Sequence, residues 1–442
     1  MTTSYLPYDP KQQMLLPHAL QDWLPEGHLA YYISDTVDAL DLSAFHARYA
    51  GGGPRNQPFH PAMMVKVLLY AYATGVFSSR KIARKLHEDV AFRVLGAGNF
   101  PKHRTLCDFR ALHLQELAAL FVQVVKLARE CGLVKLGTIA VDGTKVKASA
   151  SRHKAMSYKR MLESEAQLKQ QIEALLDKAR ATDAAEKSEP DLDIPAEIER
   201  REARLEVIRA ARERLESRQR ELDAAKGRSA DDDRRPRDKD GKPKRGKCYK
   251  REFGVPEDKA QENFTDPHSR IMKRSGGGFD QCYNGHTAVD AHAQIIVAAE
   301  LTNNGADNDR LPVLLKAVQD TLKATPEAAL ADAGFRAEDV FEQLADHPTE
   351  IIVALGREGR DDVKIDPQKY PHTAAMADKL ASAPGKAAYR RRKAIVEPPN
   401  GWIKHILGFR QFSFRGLRKV QAEWKLVCAA LNLRRMGGLC AP

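Results

Sequence analysis

The chain has 442 residues, of which 43% are hydrophobic, so it is long enough for two or three domains and too apolar for a disordered protein. Its 71 Lys and Arg against 59 Asp and Glu give a formal charge of +12, which favours a polyanionic partner. Without a run of roughly 18 apolar residues a membrane span is not expected, and the six scattered cysteines are typical of reduced thiols in the cytoplasm. Nucleic acid in the cytoplasm is therefore the expected partner.

Residues 1–130 have the pattern of a helical domain. The apolar segment 61–76 opens on a proline, and the segment 78–95 opens on two serines that suit a helix N-cap. A further helix is predicted after a Pro turn, with Thr105 as its cap and its end at Gly132. Short helices with Lys and Arg at their turns are typical of a helix-turn-helix domain that binds DNA, although a plain helical bundle fits the composition equally.

The segment 137–147, GTIAVDGTKVK, changes the pattern from helix to strand. Alternating apolar residues lead up to Asp142 and Gly143, and a second alternating piece follows them. This pattern predicts a buried strand that turns into a hairpin at the Asp-Gly pair.

Residues 154–275 are predicted to be an insertion. Two stretches with apolar residues at 3,4 spacing, interrupted by Glu165, are separated by Pro190 and Pro195, which stop a helix. They predict an antiparallel helical hairpin or coiled-coil arm. The charged segment 227–251 contains few apolar residues and is expected to be a flexible loop that orders on nucleic acid.

Strands and helices alternate again from about residue 279. The order predicts an α/β domain with a mixed sheet flanked by helices, built from residues 131–153 and 276–442. In this domain a hairpin turn is expected at 290–294, a short strand in 328–335, and another at 350–355.

Three carboxylates stand where such a domain could gather them. Asp142 and Asp332 each follow an apolar strand, and Glu397 is expected to open a basic helix. Taken singly, each Asp is more simply explained as a turn residue, and Glu397 as a salt-bridge partner of neighbouring Arg. Taken together they suit Mg²⁺, which prefers oxygen ligands and needs few carboxylates. The sequence therefore predicts that they converge on one metal site.

Other acids nearby have simpler explanations. Asp290 is expected in the hairpin turn, and Asp307 and Asp309 as caps of the helix that follows them. The segment 386–435 has thirteen Lys or Arg, and Glu423 is its second acid beside Glu397, which makes it the nearest alternative to Glu397.

Several blocks of the sequence resemble the insertion-sequence transposases of the DDE superfamily. These blocks are AVDGTKVKA, ADAGF, the segment from YRRRKAIVEPPNGWIKH onward, SRIMKRSGGGFDQCYNGHTAVDAHAQIIVA, and the N-terminal segment that begins FHPAMMVKV. The resemblance implies a ribonuclease-H-like catalytic domain with Asp142, Asp332 and Glu397 as catalytic and metal-binding residues. It implies Mg²⁺ or Mn²⁺, two ions, as cofactor.

The last block resembles a signature of that group in which Tyr, Arg, Glu and Lys stand at fixed spacing. Glu397 and Lys404 fit the spacing, whereas the Arg position holds Lys393, beside Arg392, and the Tyr position holds Arg390, beside Tyr389. The resemblance implies that the following residues of this region contact DNA: Tyr389, Arg392, Lys393, Lys404, Arg410 and Arg415.

The function that this resemblance implies is DNA transposition in the cytoplasm, associated with the nucleoid. The partners would be terminal inverted repeats and target DNA, bound by a homodimer, with no membrane. Two alternatives stay open from the sequence: a non-catalytic DNA-binding regulator derived from a transposase, and a metal-dependent endonuclease without strand transfer.

Overall fold

The computed structural model describes residues 19–49, 57–184, 194–230, 234–235, 248–274, 276–356 and 365–440. The helices are α1 (Leu29–Ala39), α2 (Ser43–Ala47), α3 (Pro61–Ala73), α4 (Ser79–Glu88), α5 (Val90–Gly96), α6 (His103–Leu112), α7 (Leu114–Glu130), α8 (Tyr158–Ala184), α9 (Ile194–Ala225), α10 (Leu311–Leu322), α11 (Glu338–Gln343), α12 (Pro371–Ala381), α13 (Ala383–Arg390), α14 (Arg392–Gly401) and α15 (Leu417–Cys440). The strands are β1 (Thr138–Lys147), β2 (Ala155–Ser157), β3 (Gln261–Asn263), β4 (Arg270–Lys273), β5 (Phe279–Asp290), β6 (Ile296–Thr302), β7 (Ala328–Ala331) and β8 (Glu350–Val353).

The main sheet is mixed, as the sequence predicts. β1 pairs antiparallel with β5 on one side and parallel with β7 on the other, and β8 continues the parallel side. On the side away from β1, β5 pairs antiparallel with β4 near its start and with β6 farther along. The sheet thus combines three parallel strands with antiparallel partners, which is consistent with a ribonuclease-H-like domain, and β1 lies at the centre of the sheet.

The predicted hairpin at Asp142 and Gly143 is wrong. β1 runs without a turn from Thr138 to Lys147, and Asp142 lies in its middle, opposite Thr287 of β5. Glycine is needed there because a side chain at residue 143 would collide with the carboxylate of Asp307. The Asp-Gly pair therefore marks a close approach within a strand rather than a turn.

The N-terminal helices differ from the prediction at their ends. Asp89 breaks the predicted helix 78–95 into α4 and α5, because its carboxylate accepts a hydrogen bond from the backbone N–H of Ala91 and caps α5. Thr105 caps nothing, since α6 already begins at His103 with Lys102 as its N-cap.

The N-terminal helices and the sheet share a hydrophobic core. α3 and α7 both pack against the C-terminal helix α15, which lies on β6. Met64 of α3, Leu120 of α7, Ile139 of β1 and Trp424 of α15 are all fully or almost fully buried in this core. The helices before residue 130 are thus held directly against the catalytic domain that the sequence predicts.

In the insertion, α8 and α9 pack side by side and antiparallel. The Tyr158 hydroxyl donates to Glu216, while farther along Arg201 donates to Gln171. Glu165, the polar residue in the predicted apolar seam, is 5% exposed and is neutralised by Arg209 and Arg212 of the facing helix. A small core separate from the main one joins the helices. Pro190 and much of the predicted loop 227–251 lie outside the described residues.

Among the described helices, none is by itself long and apolar enough to cross a membrane. The pair α6 and α7, bent by 74° relative to each other, meets the length and composition test only when the two are taken together.

Candidate active site

The strand register brings the two predicted Asp residues together. β1 and β7 are parallel and pair as far as Ala140 and Leu330. Asp142 lies two residues farther along β1, and Asp332 is the first residue after β7. The two carboxylates are close enough for the negative charge of Asp332 to act on Asp142. Asp332 comes directly after β7, and its Oδ1 accepts the Gly334 N–H at 2.9 Å.

Asp142 is in a site that disfavours its negative charge. Burial, and after it the negative charge of Asp332, raises the pKa of Asp142 to about 6. The charge of Arg392 and two hydrogen bonds oppose this rise: the Gly143 N–H donates to Oδ1 at 2.9 Å, and Asn400 Nδ2 donates to Oδ2 at 2.9 Å. Two neighbouring carboxylates that repel each other form a place where a cation is favourable.

Glu397 lies in the middle of α14 and not at its start, so the predicted opening of the helix there is wrong. It is exposed, and it stands one turn before Asn400, the residue that holds Asp142. Within the described part of the chain no Lys or Arg is in ion-pair distance of Glu397, which disfavours its interpretation as a salt-bridge partner. The described residues also hold no ready cluster of three His, Cys, Asp or Glu for a metal. The convergence of all three acids therefore stays a prediction.

The backbone around Glu397 is unusual for a helix. Pro398 and Pro399 lie inside α14, where proline removes the N–H that an earlier carbonyl would accept. The carbonyl of Ala394, four residues before Pro398, is instead satisfied by Gln294 Nε2 at 2.7 Å. After α14 the chain continues as a π-helical turn, Trp402–Ile406, a feature frequent at functional sites.

Asp307 is a site residue that sequence reasoning missed. It caps nothing, because the N-cap of α10 is Arg310. Its carboxylate accepts hydrogen bonds from Lys145 Nζ at 3.2 Å, Asn284 Nδ2 at 2.5 Å and His286 Nε2 at 2.8 Å. A side chain on Gly334, next to Asp332, would also come within 3.3 Å of it.

These donors fix the charge of Asp307. Burial would raise its pKa, but the hydrogen bonds from His286 and Asn284 and the charge of Lys145 outweigh burial and lower it to about 2. The one signal in the sequence is the spacing of Asn284 and His286, two residues apart on a strand and hence on the same face.

The predicted DNA-binding residues fall into two groups. Lys404 is half-buried, and its charge interacts with that of Asp142, although burial lowers its pKa. Arg392 is 7% exposed, and its positive charge lowers the pKa of Asp142. Its Cζ lies 5.8 Å from the centre of the Tyr389 ring. In contrast, three predicted contacts are exposed at the surface: Lys393, Arg410 and Arg415.

Glu423, the alternative acid, belongs to a buried structural network. It is 1% exposed and accepts hydrogen bonds from Tyr72 of α3 and from the backbone N–H groups of Ser413 and Phe414. Arg110 of α6 donates to the same Tyr72 hydroxyl at 2.8 Å. Glu423 thus joins the N-terminal helices to α15 and is not available at the site.

Two family models match parts of the chain. Residues 252–433 match the family described as the transposase DDE domain, and residues 18–112 match a transposase domain (DUF772). The first match includes Asp332 and Glu397 and begins after Asp142 and most of the insertion. No curated protein and no solved structure matches the chain.

The family also bears on the metal, because DDE transposase domains generally use divalent ions. The site fits such an ion: its donors are carboxylate oxygens, and Asp142 and Asp332 repel each other in the absence of a cation. The two transposase-domain matches, in the expected order along the chain and on a mixed sheet flanked by helices, support an insertion-sequence DDE transposase.

Proposed function

We propose that the protein is a DNA transposase that binds the ends of its element, cuts phosphodiesters there and joins the freed end to target DNA. The observation that supports this proposal is the electrostatic interaction between Asp142 of β1 and Asp332, the residue that follows the neighbouring parallel strand β7. α14 packs against β1 and brings Asn400 to Asp142 and Glu397 to within one helical turn of that contact.

In this proposal Asp142, Asp332 and Glu397 hold Mg²⁺ or Mn²⁺, as two ions. When bound, such ions activate the attacking oxygen and stabilise the leaving one. Asn400 orients the Asp142 carboxylate through its 2.9 Å hydrogen bond. Asp307 holds Lys145 near the site through an ion pair of 3.2 Å, where the ammonium group faces incoming phosphate.

The cations around the site bind the DNA backbone. Lys404, whose charge interacts with that of Asp142, acts near the scissile phosphate, and Lys393, Arg410 and Arg415 contact phosphates farther along. Arg392 is buried and Tyr389 is half-buried beside it, and their contact with DNA, which the resemblance implies, stays a prediction. The helices in 1–130 read the element ends, and a homodimer holds two ends together in the nucleoid.

Two reactions follow from these roles. In the first, water attacks a phosphodiester at the element end, the P–O3′ bond breaks, and a 3′-OH and a 5′-phosphate result. In the second, that 3′-OH attacks a target phosphodiester, so one P–O bond forms while another breaks and no external energy source is needed.

The test uses the full chain, Mg²⁺, and duplex DNA taken from both sides of its coding region. Cuts are mapped at nucleotide resolution, and precut ends with a 3′-OH are offered a supercoiled plasmid. The proposal expects cuts at fixed positions on both sides and covalent joining to the plasmid. Cuts without joining would indicate an endonuclease, and binding without cuts in either Mg²⁺ or Mn²⁺ would indicate a regulator.

A further inference from the structure

A basic groove lies where the far end of β1 meets the base of the insertion. Its volume is about 550 Å³. Among the described residues that line it, four are Lys or Arg and one is acidic: Lys147, Arg152, Lys154, Arg415 and Asp280. Arg415 was already expected to bind DNA. Arg152 lies just before the predicted insertion and Lys154 at its first residue, and neither has an assigned role.

The single acid of this set does not neutralise the groove. Asp280 is engaged by Arg274 at 3.0 Å and, more weakly, by Lys147 at 3.8 Å. Arg152 and Lys154 are exposed, and in the described part of the chain no carboxylate lies within ion-pair distance of either. The groove therefore presents uncompensated positive charge, which suits an anionic ligand.

The walls of the groove are held in place by hydrogen bonds. Arg415 Nε donates to the carbonyl of Ser149 at 2.9 Å, and Gln411 Nε2 donates to that of Ala148 at 3.0 Å. On the insertion side, Asn263 Nδ2 donates to the carbonyl of Ser151 at 2.7 Å. A preformed groove loses little conformational freedom when it binds.

The position of the groove relative to the site indicates the ligand. β1 is continuous from Asp142 to Lys147, and five residues of strand span about 17 Å. Duplex DNA advances about 3.4 Å per base pair, so DNA seated at Asp142 and following β1 would reach the groove about five base pairs away.

We propose that this groove binds the phosphodiester backbone of the DNA about five base pairs from the scissile phosphate. The proposal rests on the proposed function, because DNA must first occupy the site at Asp142. It gives Arg152 and Lys154 the role of fixing the direction in which the duplex leaves the site.

The test compares two double variants with the same loss of charge. Arg152→Ala with Lys154→Ala removes cations from the groove, and Lys159→Ala with Arg160→Ala removes exposed cations from the start of α8, outside the groove. Both are made in full-length protein that also carries Asp142→Asn, so that DNA is not cut. Binding to duplex DNA from the element ends is titrated over a salt series, and ethylation interference maps the contacted phosphates. Thermal unfolding of each variant checks that the fold is kept, and Arg152→Gln with Lys154→Gln serves as a second groove variant.

The groove variants are expected to lower the slope of log affinity against log salt by about two, roughly 0.9 for each lost phosphate contact. They should also lose interference at phosphates about five base pairs from the cut, while the α8 variant keeps it. A groove variant with the same slope and interference pattern as its parent would overturn the groove proposal. If the wild-type protein neither binds nor cuts element DNA, the proposed function fails instead. Competition by free inorganic phosphate at equal ionic strength tests whether the groove binds any anion.

Discussion

Replacement of Gly143 by alanine tests the close approach at the centre of the site. An added Cβ would lie 2.7 Å from Oδ1 of Asp307 and 3.2 Å from the ring of His286. The first contact falls short of ordinary van der Waals distance by about 0.7 Å. Asp307 cannot retreat cheaply, because three donors hold its carboxylate.

Replacing this glycine by alanine should therefore lower the stability of the protein, which is the opposite of the usual effect. Alanine in a strand interior is normally more stable than glycine by roughly 0.5–1 kcal/mol. Overpacking of this kind costs about 1–3 kcal/mol, so Gly143→Ala should lower the free energy of unfolding by about 1–2 kcal/mol net. The displaced Asp307 also disturbs the donors beside Asp142, so DNA cleavage should fall more than DNA binding.

Gly401→Ala is the matched control, since an added Cβ at this helical position meets nothing within 4 Å. It should be neutral or stabilising by about 0.4–1 kcal/mol. Urea unfolding of both variants gives the free energies, and the same two changes are repeated with Asp307→Ser. A Gly143→Ala protein as stable as wild type, or one equally destabilised in the Asp307→Ser background, would refute the proposed collision.

Three further changes test other parts of the structure. Glu423→Gln should lower the free energy of unfolding by roughly 3 kcal/mol, because a charged acceptor of buried donors is lost; unfolding in urea measures it, and an unchanged stability would contradict the network. Gln294→Ala removes the donor to the Ala394 carbonyl, which Pro398 cannot replace, so it should lower the free energy of unfolding by about 1 kcal/mol and speed hydrogen exchange in α14. Unchanged hydrogen exchange would mean that this bond does not hold the helix. Lys404→Ala should weaken DNA binding and lower its salt slope by about one, as measured by gel shift, and an unaltered slope would exclude a phosphate contact there.

The order of strands and helices could be predicted from sequence because apolar periodicity reports burial directly. The turn at Asp290 and the starts of β7 and β8 lie where the pattern placed them, but β7 ends at Ala331 and Ala333–Phe335 forms a 3-10 helix instead of strand. The prediction at Asp142 and Gly143 failed because the local turn signal is the same whether glycine serves a turn or a close contact. Only the pairing with β5, which sets Asp142 opposite Thr287, 145 positions farther along the chain, decides between them.

Asp142 and Asp332 were selected because each follows an apolar stretch, although Asp142 lies within β1, and the residues that support them were not predicted. Asp307 was assigned to a cap because caps are local, whereas its real donors come from β1 and β5. Glu423 looked available because its burial against Tyr72 depends on how α3 packs on α15. Residues whose partners are distant in sequence leave little local signal.

The central claim is that Glu397 acts with Asp142 and Asp332 in cutting DNA, and Glu397→Gln tests it most directly. The change keeps the size of the side chain and removes its charge, at an exposed position where folding should be unaffected. Nicking of element-end DNA in Mg²⁺ is measured for wild type and variant at equal DNA occupancy, set by gel shift on the same preparations. We expect equal or slightly tighter DNA binding, because one negative charge near phosphate is lost, and a cleavage rate lower by orders of magnitude. A variant that nicks DNA at the wild-type rate would contradict the claim and remove Glu397 from the active site.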